Sequence, residues 1–251
     1  FKAFWKNVQV GSLPKQRILS NVTIDNFNCS LAHVKVTVID EANVPLPLIT
    51  MTLTYSYLTR YNETIPEKIS FETNENGTIV ASNMIINANY TIEALRYGLL
   101  FNTTLLPNLN LLLDGSWANL TITCPKYALF IHVFDSSKLP LPRVKVDAYE
   151  WSSQILAQSG TTNDSGSITF NCIFGKYKIR VYSYSAELNS TVLLNETVTD
   201  LIEDKSFLAI HCKIFNLTPS VAVVDFFRQP IPNAMIAVSY THLRAHETGR
   251  N

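Results

Sequence analysis

Apolar and polar residues alternate along several short stretches of the chain. In the first of these, Val34, Val36 and Val38 are separated by Lys35 and Thr37. A period of two places successive side chains on opposite faces of an extended chain, so the stretch predicts a β-strand with one buried face. Two later stretches repeat the pattern in the same phase: Leu129, Ile131 and Val133, and then Val221 and Val223.

Each of these stretches leads into the same Asp-Pro motif, an aspartate followed by a proline turn. The three copies are Asp40 with Pro45, Leu46 and Pro47, Asp135 with Pro140, Leu141 and Pro142, and Asp225 with Pro230, Ile231 and Pro232. An aspartate accepts backbone N–H groups in turns, and proline removes a ladder donor, so we expect the strand to end here. The motif recurs about every 90 residues, which indicates an array of similar domains.

Further strands are predicted within each repeat. Alternation predicts a second strand at 50–57, at 144–151 and from Ala234 onward. Gly77 and Gly166 lie where a tight turn requires positive φ, and the strands after them begin with Ile79 and Ile168. No segment shows a 3.6-residue period with caps. The sequence therefore predicts an all-β chain of tandem antiparallel Ig-like β-sandwich domains, with about seven strands in each.

The repeat also sets the expected domain boundaries. Residues 92–103 align without gaps with 179–190 and with 1–12, so position 1 corresponds to the middle of a repeat. We expect a remnant of a preceding repeat at 1–27, complete sandwiches at 28–120 and 121–207, and a truncated repeat at 208–237. The joins at Asp114–Trp117 and between Asn195 and Cys212 contain no flexible linker, which predicts contact between neighbours and a semi-rigid rod.

Composition narrows the classes of function. Apolar residues form 47% of the 251-residue chain and charged residues 16%, which supports packed cores and not disorder. Lys plus Arg equals Asp plus Glu at 20 each, which argues against nucleic acid or an anionic membrane as a partner. No apolar run reaches the length that spans a bilayer, so no membrane insertion is expected within this segment.

Acceptor triplets for N-glycosylation are unusually frequent. Eleven occur where chance would give about four, which favours an extracellular or cell-surface glycoprotein. Threonine-rich strands and asparagine-rich turns offer an alternative origin for such triplets. The candidate acceptors are Asn21, Asn28, Asn62, Asn76, Asn89, Asn102, Asn119, Asn163, Asn189, Asn195 and Asn216.

The four cysteines leave two interpretations open. Cys29, Cys124 and Cys212 lie just ahead of the first strand of successive repeats, whereas Cys172 has no counterpart in the first complete repeat. A disulfide from Cys124 to Cys172 is one interpretation for an oxidising compartment. Buried thiols that act as small apolar side chains are the other.

The search for chemistry yields no catalytic residue, no cofactor site and no metal site. The turns at 74–77 and 163–166 resemble half of a calcium loop but lack its distal glutamate, and Asn and Gly suit a hairpin turn. The three motif aspartates belong to separate domains, too far apart to share a substrate. The tryptophans and tyrosines could stack on sugars, but their positions favour packing.

The order of these elements is similar to that of carboxypeptidase regulatory-like domains. The resemblance rests on the alternating strand, the Asp-Pro motif, the Thr-to-Gly hairpin and the Gly-x-Tyr strand at Gly175, Lys176 and Tyr177. The first repeat has Ala88 in place of that glycine. The resemblance implies transthyretin-like or Ig-like sandwiches without catalysis. Tandem copies with dense acceptor triplets look most like archaeal cell-surface proteins.

The C-terminal stretch resembles something other than a protein domain. Residues 238–248 look like the translated read-through of a sequencing adapter, so 238–251 is expected not to belong to the fold. His242 and His246 have the i, i+4 spacing of zinc ligands, but the adapter interpretation makes that spacing incidental. The chain would then be a metagenomic-type fragment.

The sequence thus predicts a non-catalytic structural segment of a glycosylated surface protein, such as a stalk, a surface layer or an adhesin-like array. Its expected partners are neighbouring repeats of the same chain, and beyond them other surface proteins or glycans. Two alternatives stay open: an accessory module of a secreted hydrolase, and a filament subunit that assembles by strand pairing.

Overall fold

The computed structural model describes residues 2–12, 29–185, 190–213, 223–232 and 234. The predicted adapter stretch at 238–251 lies outside these residues. The chain divides into two compact units, Phe1–Ile214 and Phe215–Asn251. In the described part of the first unit, the regular structure consists of sixteen strands and one 3-10 turn at Leu109–Leu112, without an α-helix. No helix of the described residues has the length and apolar character needed to cross a membrane.

The first unit begins with a two-stranded hairpin. Its strands β1 (Lys2–Trp5) and β2 (Val8–Ser12) pair antiparallel. Lys6 and Asn7 form the turn with φ of 49° and 60°, the left-handed backbone that suits the twist of a two-residue hairpin.

The first sandwich contains seven strands in two sheets. The four-stranded sheet has the order β5-β4-β7-β8, and the three-stranded sheet has the order β6-β3-β9. The strands are β3 (Leu31–Asp40), β4 (Thr50–Leu58), β5 (Thr64–Glu72), β6 (Thr78–Ile85), β7 (Asn89–Arg96), β8 (Leu99–Leu106) and β9 (Trp117–Cys124).

The second sandwich repeats this arrangement with seven more strands. Its sheets have the orders β12-β11-β14-β15 and β13-β10-β16, which match the first sandwich strand for strand. The all-β class and the tandem sandwiches are therefore confirmed. The strands are β10 (Lys126–Phe134), β11 (Lys145–Glu150), β12 (Leu156–Thr161), β13 (Ser167–Ile173), β14 (Gly175–Ser185), β15 (Ser190–Leu201) and β16 (Ser206–His211).

One pair of strands in each sandwich is parallel. The last strand returns beside the first, so β9 pairs with β3 and β16 pairs with β10. Because of this return, the divisions predicted at 120/121 and 207/208 fall inside β9 and β16. The stretches predicted as joins likewise lie within the sandwiches, and Pro125 alone separates β9 from β10.

The alternating residues form the cores as the pattern predicts. Val34, Val36 and Val38 of β3 are fully buried, as are Ile131 and Val133 of β10. Each such side chain contributes about 1.5–3 kcal/mol through removal of its apolar surface from water. Each sandwich has its own core cluster, and Phe174 of the second sandwich belongs to the cluster of the first.

The Asp-Pro motif forms the same turn in both sandwiches. Asp40 Oδ1 accepts the backbone N–H groups of Ala42 and Val44, each at 2.8 Å. Asp135 Oδ1 accepts those of Ser137 and Leu139 at the same distance. The predicted turn role of these aspartates is confirmed.

In the second unit the described residues form the third copy of this turn. Asp225 Oδ1 accepts the N–H groups of Phe227 and Gln229 at 2.9 and 2.8 Å, and Val224 forms an isolated bridge with Pro230. Val221 and most of the predicted strand from Ala234 onward lie outside the described residues.

Candidate functional site: the joint between the two sandwiches

The turn between β7 and β8 lies against the second sandwich. Tyr97 and Gly98 form this turn, and Arg96, the last residue of β7, is 4% exposed. The side chains of Arg96 and Tyr97 reach β11, β14 and the residue that joins β13 to β14. We call this contact the Arg96 joint.

The Arg96 guanidinium bonds to three groups of the second sandwich. Nη1 donates to the carbonyl oxygen of Phe174 at 2.8 Å and to the hydroxyl of Tyr177 at 3.3 Å. Nη2 donates to Oε1 of Glu150 at 2.6 Å. The Tyr97 hydroxyl donates to the other carboxylate oxygen at 3.0 Å, so the two neighbouring side chains hold both oxygens of Glu150.

These neighbours keep the buried guanidinium charged. Burial by itself disfavours the charge, but Tyr177, Glu150 and Tyr97 outweigh it and raise the pKa of Arg96. Burial also raises the pKa of the Tyr177 hydroxyl, which therefore stays protonated and donates to the carbonyl of Ile173 at 2.6 Å. A charge buried in this way is stable only while its partners stay in place.

Close backbone approach and aromatic packing complete the joint. A Cβ atom on Gly175 would lie 2.9 Å from Nη1 of Arg96 and 3.3 Å from the ring of Tyr97. Phe174, 3% exposed, packs with Phe101 of the first sandwich at a ring-centroid distance of 5.7 Å. Gly175, the first residue of the Gly-x-Tyr strand, therefore leaves room for Arg96 and Tyr97 of the neighbouring sandwich.

A second contact joins the two sandwiches at the start of β10. Lys126, the first residue of β10, places its Nζ 3.1 Å from Oδ2 of Asp40. Its backbone N–H donates to Oε1 of Glu41 at 3.1 Å. The Asp-Pro motif of one sandwich therefore also binds the first strand of the next.

The same kind of contact occurs where the β1–β2 hairpin meets the first sandwich. Lys6 forms an ion pair with Glu67 and donates to the Tyr55 hydroxyl at 3.1 Å. The backbone N–H of Arg60 donates to the carbonyl of Asn7 at 2.9 Å. Gln9 and Val10 flank a cavity of about 400 Å³ beside this hairpin.

Glu67 is the hydrogen-bond acceptor at the centre of that contact. Tyr55 and Tyr57 donate their hydroxyl protons to its two oxygens at 2.7 and 3.0 Å. Burial alone would raise the pKa of this carboxyl, but the bonds from Lys6, Tyr55 and Tyr57 outweigh burial and lower it. Glu67 therefore stays ionised as the partner of Lys6.

The two contacts occupy matching places in the repeat. In the gapless alignment of 1–12 with 92–103, Lys6 corresponds to Tyr97, and each reaches a carboxylate of the following sandwich. In both places the hairpin of one repeat contacts the sandwich that follows it, and the two hairpins use different side chains.

The candidate acceptors are spread over both sandwiches. Asn102 and Asn195 are half-buried; the Asn195 amide donates to the carbonyl of His211 at 2.6 Å. Asn21, Asn28, Asn189 and Asn216 lie outside the described residues. The exposed candidates are Asn62, Asn76, Asn89, Asn119 and Asn163.

The predicted cysteine pair is divided between the two cores. Cys124 belongs to the core of the first sandwich and Cys172 to that of the second, and both are buried free thiols. Burial raises the pKa of Cys124 to about 12 and that of Cys172 to about 11. The disulfide stays a prediction. Cys212 is also buried, and Cys29 is exposed.

The other residues considered for chemistry have structural partners. The Asn74 and Asn163 side chains accept the N–H groups of their own turns, Thr78 at 3.0 Å and Ser167 at 2.9 Å among them. Among the described residues there is no group of three or more His, Cys, Asp or Glu arranged to hold a metal ion. His242 and His246 lie outside the described residues.

The sequence did not single out Arg96 or Glu150. Their meeting depends on the packing of two sandwiches, and the two residues are 54 positions apart. One signal was available: Arg96 follows Ala94 in an alternating strand at a position of the buried face, where an arginine is unusual without a partner.

Comparison with known proteins gives no family. No family model matches the sequence, and no curated protein matches it.

Several solved structures show a distant likeness. The Bacillus anthracis TIE protein is 16% identical over 73% of this chain and 33% of its own, with a TM-score of 0.39, so this chain spans a third of its length. The minor pilin of Streptococcus agalactiae is 15% identical over 76% of this chain and 99% of its own, with a TM-score of 0.34. A streptococcal ancillary pilin is 13% identical over 86% and 73%, with a TM-score of 0.32. The fold assignment rests on the strand pairing above.

Proposed function

We propose that this chain is a non-catalytic structural segment of an extracellular or cell-surface protein, which holds successive β-sandwiches at a fixed spacing. The observation that carries the proposal is the Arg96 joint. Arg96 is a buried arginine of the first sandwich. Apart from the adjacent Tyr97, its hydrogen-bond partners all belong to the second sandwich. Neither sandwich satisfies that charge alone, so the two are stable as a connected pair.

The connection also leaves little freedom for hinge motion. One residue, Pro125, separates the sandwiches, and its ring fixes φ. Lys126 is held by Asp40 and Glu41 immediately after it. A spacer needs such stiffness, since a flexible linker would let neighbouring modules collapse on one another.

The surface location and the glycans are part of the same proposal. Five of the seven described acceptor asparagines are exposed, which leaves their amides accessible to a glycosyltransferase. The resemblance to carboxypeptidase regulatory-like repeats of archaeal surface proteins supports this location from the sequence. An intact-mass measurement on native material should exceed the polypeptide mass by whole glycan units, and an unmodified mass would remove the glycoprotein part of the proposal.

The coupling of the two sandwiches is tested by the substitution Arg96→Met. Methionine keeps much of the length but donates no hydrogen bond, so Glu150 and the Phe174 carbonyl lose their partner. Removal of one member of a buried ion pair costs about 3–5 kcal/mol. We expect wild-type protein to show one cooperative unfolding transition in differential scanning calorimetry, and the variant to show two, one for each sandwich.

The matched control is Arg180→Met. Arg180 also pairs with a carboxylate, Glu196 at 2.6 Å, but this pair lies within the second sandwich. The control should keep the single transition. If Arg96→Met also unfolds in a single transition, the sandwiches are not coupled through this joint and the proposal is wrong.

A further inference from the structure

The outward face of the β13-β10-β16 sheet carries a cluster of aromatic side chains. Phe130 of β10 lies directly beside Phe207 of β16 in the parallel register, and Phe134 lies beside His211. The rings of each pair stack at centroid distances of 5.1 and 5.4 Å. We call these four residues, together with His132 and Ala209 between them, the aromatic face.

The aromatic face is accessible to solvent. Phe207 is 77% exposed, and Phe130, His132 and Phe134 are half-buried against their neighbours. Phenylalanine exposes a large apolar surface, whereas the solvated face of an antiparallel sheet is usually polar. An exposed apolar cluster of this kind is a candidate contact surface.

The first sandwich shows that the fold does not need these rings. Asp40 and Asp135 are equivalent residues, so the two sandwiches can be aligned on them. In this alignment the neighbours Lys35 and Asn119 occupy the positions of Phe130 and Phe207. In the next row Thr37 and Thr121 occupy the place of His132 and Ala209. The strand pairing is the same in both sandwiches, so the sheet forms without aromatic residues at these positions.

The charges around the aromatic face favour a neutral partner. Its six residues include no Asp, Glu, Lys or Arg, and the outward residues of β13 beside it are Ser167, Thr169 and Asn171. A strongly charged partner would lose hydration here without gaining an ion pair, whereas two copies of the same face meet without repulsion. Among the described residues, no candidate glycan acceptor is an outward residue of this sheet, whereas Asn119 is an outward residue on the matching face of the first sandwich. Asn195 of β15 bonds to the backbone carbonyl of His211.

We propose that the aromatic face binds the same face of a second copy of this chain. The pairing is isologous, with the Phe130–Phe207 and Phe134–His211 rows of the two copies packed across a two-fold axis. The depletion of charge at the centre and the enrichment in aromatic residues match the composition of interface cores. This association goes beyond the spacer role and stands on observations independent of the Arg96 joint.

The size of the face sets the expected strength. The whole outward side of the sheet that surrounds the aromatic face, with three strands at about 4.8 Å spacing and about six residues at 3.3 Å each, covers roughly 300 Å² per copy. A stable interface buries about 800 Å² per partner, so one such contact is weak. Its dissociation constant should lie on the order of 0.1–1 mM, and in a longer array many copies would add by avidity.

Sedimentation equilibrium of the full chain tests the proposal. We expect the weight-average mass of wild-type protein to rise above that of one chain between about 20 µM and about 1 mM. The double variant Phe130→Lys with Phe207→Asn transfers the pair of the first sandwich to the second. It should fold, because the same pair is tolerated at those positions, and its association should be at least about tenfold weaker.

Two further variants separate the loss of the aromatic ring from the added charge and from the loss of exposed apolar surface in general. Phe207→Ser removes the most exposed ring without adding charge and should also weaken association. Leu105→Asn removes another exposed apolar side chain, 68% exposed on β8, and should leave association unchanged. A wild-type chain that stays monomeric at about 1 mM would overturn the proposal. The proposal would also be overturned if the double variant associated as strongly as wild type, or if Leu105→Asn weakened association as much as the double variant does.

Discussion

At the scale of single residues, the recurring motif is explained by hydrogen-bond geometry. One carboxylate oxygen accepts two N–H groups in each copy, at Asp40, Asp135 and Asp225. Gly77 lies against the proline turn that follows Asp40, and Gly166 occupies the matching place in the second sandwich. The sequence suggested positive φ for both glycines, and φ is 65° and 70°. The close approach to the turn is an additional reason for glycine.

The substitution Gly77→Ala should separate these two reasons. An added Cβ would lie 2.5 Å from the Val38 carbonyl and 2.9 Å from the Leu46 nitrogen, both backbone atoms that cannot move independently. We expect a loss of about 2–4 kcal/mol in the free energy of unfolding, measured by urea denaturation.

Gly98 provides the matched control for this prediction. Its φ is 81°, but no atom lies within 4 Å of an added Cβ. Gly98→Ala should therefore cost only the conformational penalty of about 1 kcal/mol. Equal losses in the two variants would show that backbone conformation alone, and not the contact with the turn, requires the glycine.

At the scale of elements, a threonine after β5 ties this strand to the proline turn. Thr73 is 3% exposed; its hydroxyl donates to the Leu46 carbonyl at 2.8 Å and accepts the Ile49 N–H at 2.9 Å. Thr162 makes the equivalent bonds with Leu141 and Val144. The Thr-to-Gly hairpin and the Asp-Pro motif, recognised separately in the sequence, thus form one structural unit.

Thr73→Val should weaken that unit while nearly preserving its shape. Valine leaves a buried N–H and a buried carbonyl without their partner, which costs about 1–3 kcal/mol. The exposed strand residue Thr54 serves as the control, and Thr54→Val should change stability by less than about 0.5 kcal/mol. Urea denaturation of both variants gives the comparison; equal stability of the two would contradict the role of the hydroxyl.

At the scale of the first unit, electrostatic contacts connect the two sandwiches. Burial alone would raise the pKa of Asp40, but the backbone N–H of Val44, Lys126 and the N–H of Ala42 outweigh it and lower the pKa below its ordinary value of 3.8. A carboxylate with a lowered pKa stabilises the folded state above its ordinary pKa. That contribution is lost as the pH falls through the folded value.

The substitution Asp40→Asn should reveal this contribution. We expect the variant to be less stable than wild type at pH 7, with the difference constant down to about pH 5 and shrinking below about pH 4. Thermal unfolding across this range measures it. Lys126→Met should reduce the pH-dependent part, since Lys126 is one source of the lowered pKa. A difference that grows as the pH falls would contradict the assignment.

The sequence by itself determined what depends on neighbouring residues. The two-residue period gave the strands, since β3 and β10 bury the predicted faces, and Asp, Pro and Gly gave the turns through local hydrogen bonds and backbone angles. The predicted strand starts at Ile79 and Ile168 differ by one residue from those of β6 and β13.

The tertiary structure alone decided what depends on residues far apart in the chain. The parallel return of β9 and β16 places the ends of the sandwiches beyond the predicted divisions. The partners of Arg96 lie in another sandwich, and the stacking of Phe130 on Phe207 requires a register across 77 positions. Local periodicity indicates which face of a strand is buried, but it does not indicate which strand lies beside it.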